Sequence, residues 1–420
     1  MPDIKILLVQ LAVILVSCYV TGWLLSKFGQ PQVVGEMVAG ILLGPSLLGW
    51  LAPGLSAALF PQNSLPLLYA LSQIGLLLFM FMIGLELDTK KLRQLGHVAV
   101  VISNTSMIVP FALGSFLAVY LYPRVADSSI PFTGFVLFMG AAMSVTAFPV
   151  LARILSERNL VRTKVGTLAI ACAAVGDITA WIILAGIIAI VRSETNQLTL
   201  WQMLAGLLGY FALMLLGVRP LSKYLVQLLK IKRASNAVIT ALLLCMLLSS
   251  WTTDWLGIHA LFGAFFAGVI MPKENGLAAE VKERLHPLVV ILLLPLFFAF
   301  TGLRMNVAAL GGASMLSYLV LILIVAVVGK FGGSLVAARV MGTSWRDSAA
   351  IGVLMNTRGL IELVILNIGL EIGVLSPSLF SMMVVMAVLT TLITTPLLSA
   401  LYASPEPGVV LEVDENQVSP

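Results

Sequence analysis

The chain has 420 residues, of which 60% are hydrophobic and only 10% charged, against roughly 25% charged in an ordinary soluble domain. With its strongly positive mean hydropathy, this composition excludes a soluble globular fold and predicts an all-α polytopic membrane protein. The formal charge of +5 is spread over short connections, with no basic run interleaved with aromatics, so nothing indicates a nucleic-acid partner.

About 20 consecutive apolar residues cross the hydrocarbon core as a helix. Along the chain this length predicts thirteen spans, at 4–26, 32–50, 66–87, 97–122, 132–155, 165–192, 200–229, 237–253, 256–272, 287–303, 314–340, 348–370 and 376–402. The segment from Ile4 follows no basic n-region and has no small-residue cleavage site, so it reads as a retained first span. Residues 1–403 then form one transmembrane domain, and 404–420, with Glu406, Glu412, Asp414 and Glu415, form a short acidic cytoplasmic tail. Cys18, Cys172 and Cys245 lie inside apolar stretches without CxxC spacing and read as core residues.

Lys and Arg test the count, because cytoplasmic connections carry an excess of them. The odd-numbered connections hold Lys27, then Lys90, Lys91 and Arg93, then Arg153, Arg158, Arg162 and Lys164. They continue with Arg219, Lys223, Lys230, Lys232 and Arg233, then Lys273, Lys282 and Arg284, and finally Arg339 and Arg346, eighteen in all. The opposite side holds four, Lys5, Arg124, Arg192 and Arg304. That asymmetry predicts an external N-terminus and a cytoplasmic C-terminus; the expected location is a cell's inner or plasma membrane.

Two spans carry polar or helix-breaking residues at mid-depth. In the fifth the run is Ser144 to Pro149, SVTAFP, and in the twelfth Asn356-Thr357-Arg358-Gly359. A lone Pro149 reads as a kink in a packed helix, but breaks 211 residues apart, half the chain, suggest inverted repeats that each contribute one discontinuous helix. Such breaks expose backbone groups and are tolerated where protein or a water-filled cavity satisfies them.

Ionisable residues near span centres are Asp177 in the sixth, Lys330 in the eleventh and Arg358 in the twelfth, with Glu362 one turn beyond Arg358. A charge at that depth costs roughly 2.5–3.5 kcal/mol on the insertion scale, so it usually serves transport or proton transfer. The alternative is a buried salt-bridge network that fixes helix positions, most plausible for Arg358 with Glu362. Burial penalises the charged form of a carboxylate, so a proton and a desolvated cation compete for the oxygens of Asp177. A carrier that reorients only when that carboxylate is neutralised becomes an antiporter. Thr146, Ser144 and carbonyls at the break complete an oxygen shell suited to a transported alkali cation, while Lys330 keeps the empty site positive or shares in proton release.

Glu36, and Glu86 with Asp88 at the inner end of the third span, read as structural, and His97, His259 and His286 as packing or interface residues. Small-residue runs around Gly263–Gly268 and Gly329–Gly333 predict close helix approach and lack the strand–loop–helix context of a phosphate loop. No nucleophile–base pair or metal triad suggests an enzyme, and no cofactor is expected.

The run PQVVGEMVAGILLGPSLLG (31–49) resembles a signature of the cation:proton antiporter-2 family, as do FMIGLELD (81–88), TAFPVLARIL (146–155), GIHALFGAFFAG (257–268) and MNTRGLIELVILNIG (355–369). These ordered motifs cover almost the whole chain. The resemblance implies a thirteen-helix sodium/proton-antiporter fold with two crossing discontinuous helices, a dimerisation domain and a core domain that moves like an elevator. The core would include the fifth, sixth, eleventh and twelfth spans, and the protein would be a homodimer. Asp177 matches the second acid of the family's paired motif, and Lys330 matches the lysine of the eleventh span. Gly176 replaces the first acid, and AVGDITAW looks closer to CHX-type exchangers. A single acid implies electroneutral one-for-one exchange of K+ or Na+ for H+. Kef-type relatives append a nucleotide-binding regulatory domain; with the sequence ending at 420, none is expected. The competing readings are a gated cation channel, which needs a continuous pore, and an organic-anion symporter, in which Arg358 would bind the substrate carboxylate.

Overall fold

The computed structural model describes residues 4–86, 97–126, 130–161, 163–193, 200–228, 233–273, 276–307 and 310–402. Asp88, Lys90, Lys91, Arg93, Arg162, Lys230, Lys232 and the acidic tail 404–420 lie outside the described residues.

All the regular structure described is helical. The elements are α1 (Ile4–Ser26), α2 (Gln32–Leu43), α3 (Leu48–Leu51), α4 (Pro53–Leu59), α5 (Leu65–Glu86), α6 (His97–Val125), α7 (Phe132–Ser144), α8 (Phe148–Glu157), α9 (Lys164–Ser193) and α10 (Leu200–Ala212). They continue with α11 (Arg219–Leu228), α12 (Asn236–Trp255), α13 (Ala260–Ile270), α14 (Leu277–Pro287), α15 (Leu294–Leu303) and α16 (Ala313–Val327). The last are α17 (Gly333–Val340), α18 (Trp345–Met355), α19 (Leu360–Glu371) and α20 (Pro377–Leu401). Three wide π-helical segments, Leu213–Val218, Leu288–Leu293 and Val328–Gly332, join α10 to α11, α14 to α15 and α16 to α17. The third carries Lys330.

Among the described residues, 11 helical stretches are long and apolar enough to cross a bilayer, and α18 with α19, bent by 41° at their break, make a twelfth. The ninth expected span, 256–272, is represented by α13, whose 11 residues rise roughly 16 Å of an about 30 Å core. Local chemistry shortens it. His259 Nδ1 caps its start by accepting from the Leu261 N–H at 3.4 Å, Gly257 turns the chain before it with φ +81°, and Met271 is extended after it.

The helices sort into two packed groups. In one, α13 packs on α5 and α12, and α15 on α5 and α2, with α1 against α2; in the other, α6 to α9 pack with α17 and α18, and α20 joins α18 to α19. Small residues set the closeness of the first group. A Cβ at Gly84 of α5 or Gly268 of α13 would overlap the other helix's backbone, and the same holds for Gly40 of α2 and Gly302 of α15. At the end carrying most basic residues, Glu86 of α5 pairs with Lys282 of α14, a helix that packs on α5.

Candidate functional site

The fifth and twelfth expected spans are both broken, and the breaks touch. In the fifth, α7 ends at Ser144, Val145–Ala147 are non-helical and α8 starts at Phe148. Pro149 lies in the first turn of α8, where its missing N–H is one a helix leaves unpaired anyway. In the twelfth, Asn356, Thr357, Arg358 and Gly359 separate α18 from α19. The Ala147 N–H donates to the Thr357 carbonyl at 3.0 Å, and the Thr146 hydroxyl donates to the Met355 carbonyl at 3.0 Å.

A helix leaves its last four carbonyls unpaired, and at mid-membrane depth no solvent satisfies them. For α7 those are Ala141 to Ser144, and side chains meet each. The Ser144 hydroxyl turns back to Ala141 at 2.8 Å. Arg358 Nη1 donates to Ala142 at 3.1 Å and Nη2 to Met143 at 2.8 Å, and Lys330 Nζ donates to the Ser144 carbonyl. Two cations therefore sit at the negative end of a half-helix, where the aligned peptide dipoles favour them. Lys330 Nζ also donates to the Ser106 carbonyl of α6 at 3.0 Å. Arg358 is locked further: Nη1 pairs with Glu362 Oε1 at 2.9 Å, both side chains fully buried, and its N–H donates to Thr391 Oγ1 of α20 at 2.9 Å.

Asp177, 3% exposed in the middle of α9, contrasts with these. Neither of its carboxylate oxygens has a hydrogen-bond partner. The Phe148 N–H at the start of α8 is the backbone donor directed at it, beyond hydrogen-bond distance, and the Lys330 ammonium acts on it by charge alone. The positive end of α8 thus faces the Asp177 carboxylate. One turn on, Trp181 stacks on Phe265 of α13 with ring centroids 6.1 Å apart, so this side of α9 turns towards the other helix group.

At Gly176 a Cβ would lie 3.5 Å from Ser103 Oγ and 3.9 Å from Met107 Sδ, ordinary contact distances. The missing acid therefore reflects the residue present and not a lack of room for its first carbon. Two backbone carbonyls, of Ser106 and Ser144, hold Lys330 in this chain.

The structure brings Thr146, Ser144, Lys330, Arg358, Glu362 and the break residues Asn356, Thr357 and Gly359 into one buried assembly around the crossing. The Ser144 hydroxyl is committed to its own helix, whereas Asn356 Oδ1 is buried and unpartnered. Sequence reasoning passed over Ser106 and Thr391, though Thr390-Thr391 and Thr394-Thr395 form a polar stripe at i,i+4 spacing in an apolar span. Among the described residues no three His, Cys, Asp or Glu side chains cluster as a metal site. A cation bound here would therefore rely on Asp177 and neutral oxygens.

A family model described as sodium/hydrogen exchanger, transmembrane, matches residues 12–402. The chain belongs to that family. It is accordingly a multi-pass integral membrane protein. It is similar to the Na(+)/H(+) antiporter NhaS4 of Synechocystis, 42% identical over 95% of this chain and 98% of the relative. It is also similar to Cation/H(+) antiporter 17 of Arabidopsis thaliana, 40% identical over 95% of this chain but only 48% of that protein, so it spans about half the plant relative's length. The sodium proton antiporter MjNhaP1 of Methanocaldococcus jannaschii shares the exchanger fold, with a TM-score of 0.66 at 14% identity, covering 93% of this chain and 95% of that one.

Proposed function

We propose that this exchanger is a monovalent cation/proton antiporter in which Asp177 binds a proton and K+ or Na+ alternately. The observation that carries the reading is the contrast between Asp177, whose two buried oxygens are unclaimed, and the neighbouring cations, which are committed to carbonyls and to Glu362. An unpaired carboxylate away from water is costly while charged, so it is stabilised by whichever of two neutralising partners arrives. Because both use the same oxygens, binding one displaces the other, and exchange follows. The named activities of the 42% and 40% identical relatives support the same reaction.

In this reading α7, α8, α9 and α16 to α19 belong to a core that moves against the group containing α5, α13 and α15 in an elevator-like step, within a homodimer. Asp177 is the mobile charge. Thr146 ties the two breaks so that they travel together, and Lys330 with Arg358 keeps the exposed end of α7 neutralised throughout. With Gly176 beside it, Asp177 is the motif's lone acid, and the exchange is electroneutral, one cation for one proton. The membrane is the inner or plasma membrane, with the N-terminus outside and the C-terminus in the cytoplasm.

The test is a pH-sensitive dye in proteoliposomes given sodium, potassium, lithium or an osmotic control. Dequenching with at least one of the cations, and none with the control, is the expected result. No dequenching with any alkali cation would overturn the assignment.

A further inference from the structure

Away from the helix crossing, at the end of the bundle with few basic residues, a second polar cluster joins the two helix groups. Arg304, just after α15, extends Nη1 to Asn367 Oδ1 at 3.1 Å and to Glu371 Oε1 at 3.2 Å. Asn367 and Glu371 sit one turn apart on α19, the half-helix that begins at the break. The amide of Asn367 is oriented by its other end: Nδ2 donates to Thr301 Oγ1 and to the Leu363 carbonyl, both at 2.9 Å. That leaves its oxygen directed at Arg304. The ion-pair side chains remain 27% and 23% exposed, at the ends of α15 and α19. Behind it, the gap between α19 and the helices α5 and α13, lined by Gln73, His259, Val364, Asn367 and Ile368, has no room for a water molecule.

We propose that Glu371 Oε1 and Asn367 Oδ1 form an entry site for the transported cation on this side, and that the Arg304 guanidinium occupies it as a tethered competitor while the gap is closed. The inference rests on the antiport reading above. A carboxylate and an amide oxygen are hard donors of the kind alkali cations take, and here a cationic group from the opposite helix group already satisfies them. Because Arg304 is anchored outside α19, releasing it does two things at once. It frees the oxygens for an incoming ion and removes an ion pair that holds the two helix groups together. Arg304 and Glu371 are thus positioning residues for access from one face, distinct from Asp177.

The test is the apparent KM for K+ and Na+ measured separately from each side, in right-side-out and inside-out vesicles, for the wild type, Arg304→Gln, Arg304→Lys and Glu371→Gln. Removing a partly exposed pair is worth about two- to fivefold. Arg304→Gln is expected to lower KM by about that factor on one side only, and Arg304→Lys to restore it towards the wild type. Glu371→Gln is expected to raise KM on the same side, with no further change when Arg304→Gln is added. Equal shifts on both sides, or no shift in any variant while exchange persists, would overturn the entry site. Loss of exchange in the wild type would instead strike the antiport reading itself.

Discussion

The ammonium of Lys330 donates to the carbonyl of Ser144, the last residue of α7, and does not pair with Asp177. A lysine at this depth would normally be explained by a nearby acid. Here the end of a broken helix holds it, and the acid keeps both oxygens open.

Replacing Lys330 with Met preserves bulk but donates to neither the Ser106 nor the Ser144 carbonyl. Each buried acceptor left without its partner costs about 1–3 kcal/mol. The expected outcome is a lowered thermal unfolding temperature in detergent, with Lys330→Gln, which still carries a donor, falling between Met and the wild type. An unchanged melting temperature for the Met variant would show that the two carbonyls find other donors.

Arg358 and Glu362 form a fully buried pair, and breaking such a pair from one side costs about 3–5 kcal/mol because a charge is stranded. Arg358→Met should therefore destabilise the protein more than Arg358→Met combined with Glu362→Gln. Thermal melts of the two variants check this. If the double variant is the less stable, Glu362 contributes through contacts other than its ion pair.

This pair was legible in the sequence, because i,i+4 spacing on a helix brings two side chains together whatever surrounds them. So were the two breaks, since Thr146 and Thr357 stand among polar and helix-breaking residues inside apolar runs. The partners of Lys330 and Arg358 were not legible. Apart from Glu362 they are backbone carbonyls, of Ser106, Ala142, Met143 and Ser144, and a carbonyl that accepts a side-chain donor leaves no trace in residue identity. The Arg304–Glu371 contact joins residues 67 apart on helices whose relative placement no local pattern encodes. The shortness of α13 was masked because hydropathy continues smoothly through residues that the fold uses as an extended connection.

Thr146 to Val is nearly isosteric and removes only the hydroxyl that spans the breaks. Transport is expected to fall, together with a stability loss of about 1–3 kcal/mol from the unpaired Met355 carbonyl, while Thr146→Ser retains both. A Thr146→Val variant with wild-type turnover would show that the breaks do not need this tie to move together.

Gly176→Asp places a second carboxylate beside Asp177, at a position whose Cβ meets only ordinary contacts. If one acid sets one-for-one exchange, the wild type should give no transport current on a solid-supported membrane, and a variant that binds a second proton should give one. Current from the wild type would contradict electroneutral exchange.

Proton and cation compete for the two oxygens of Asp177 in this mechanism. Its most direct test is proton release from purified, lightly buffered protein in detergent when Na+ or K+ is added, compared with Asp177→Asn. The wild type should release protons in proportion to the cation bound, with a cation affinity that weakens as pH falls, and a folded Asp177→Asn protein should release none. Cation binding without proton release, or release that survives the substitution, would contradict it.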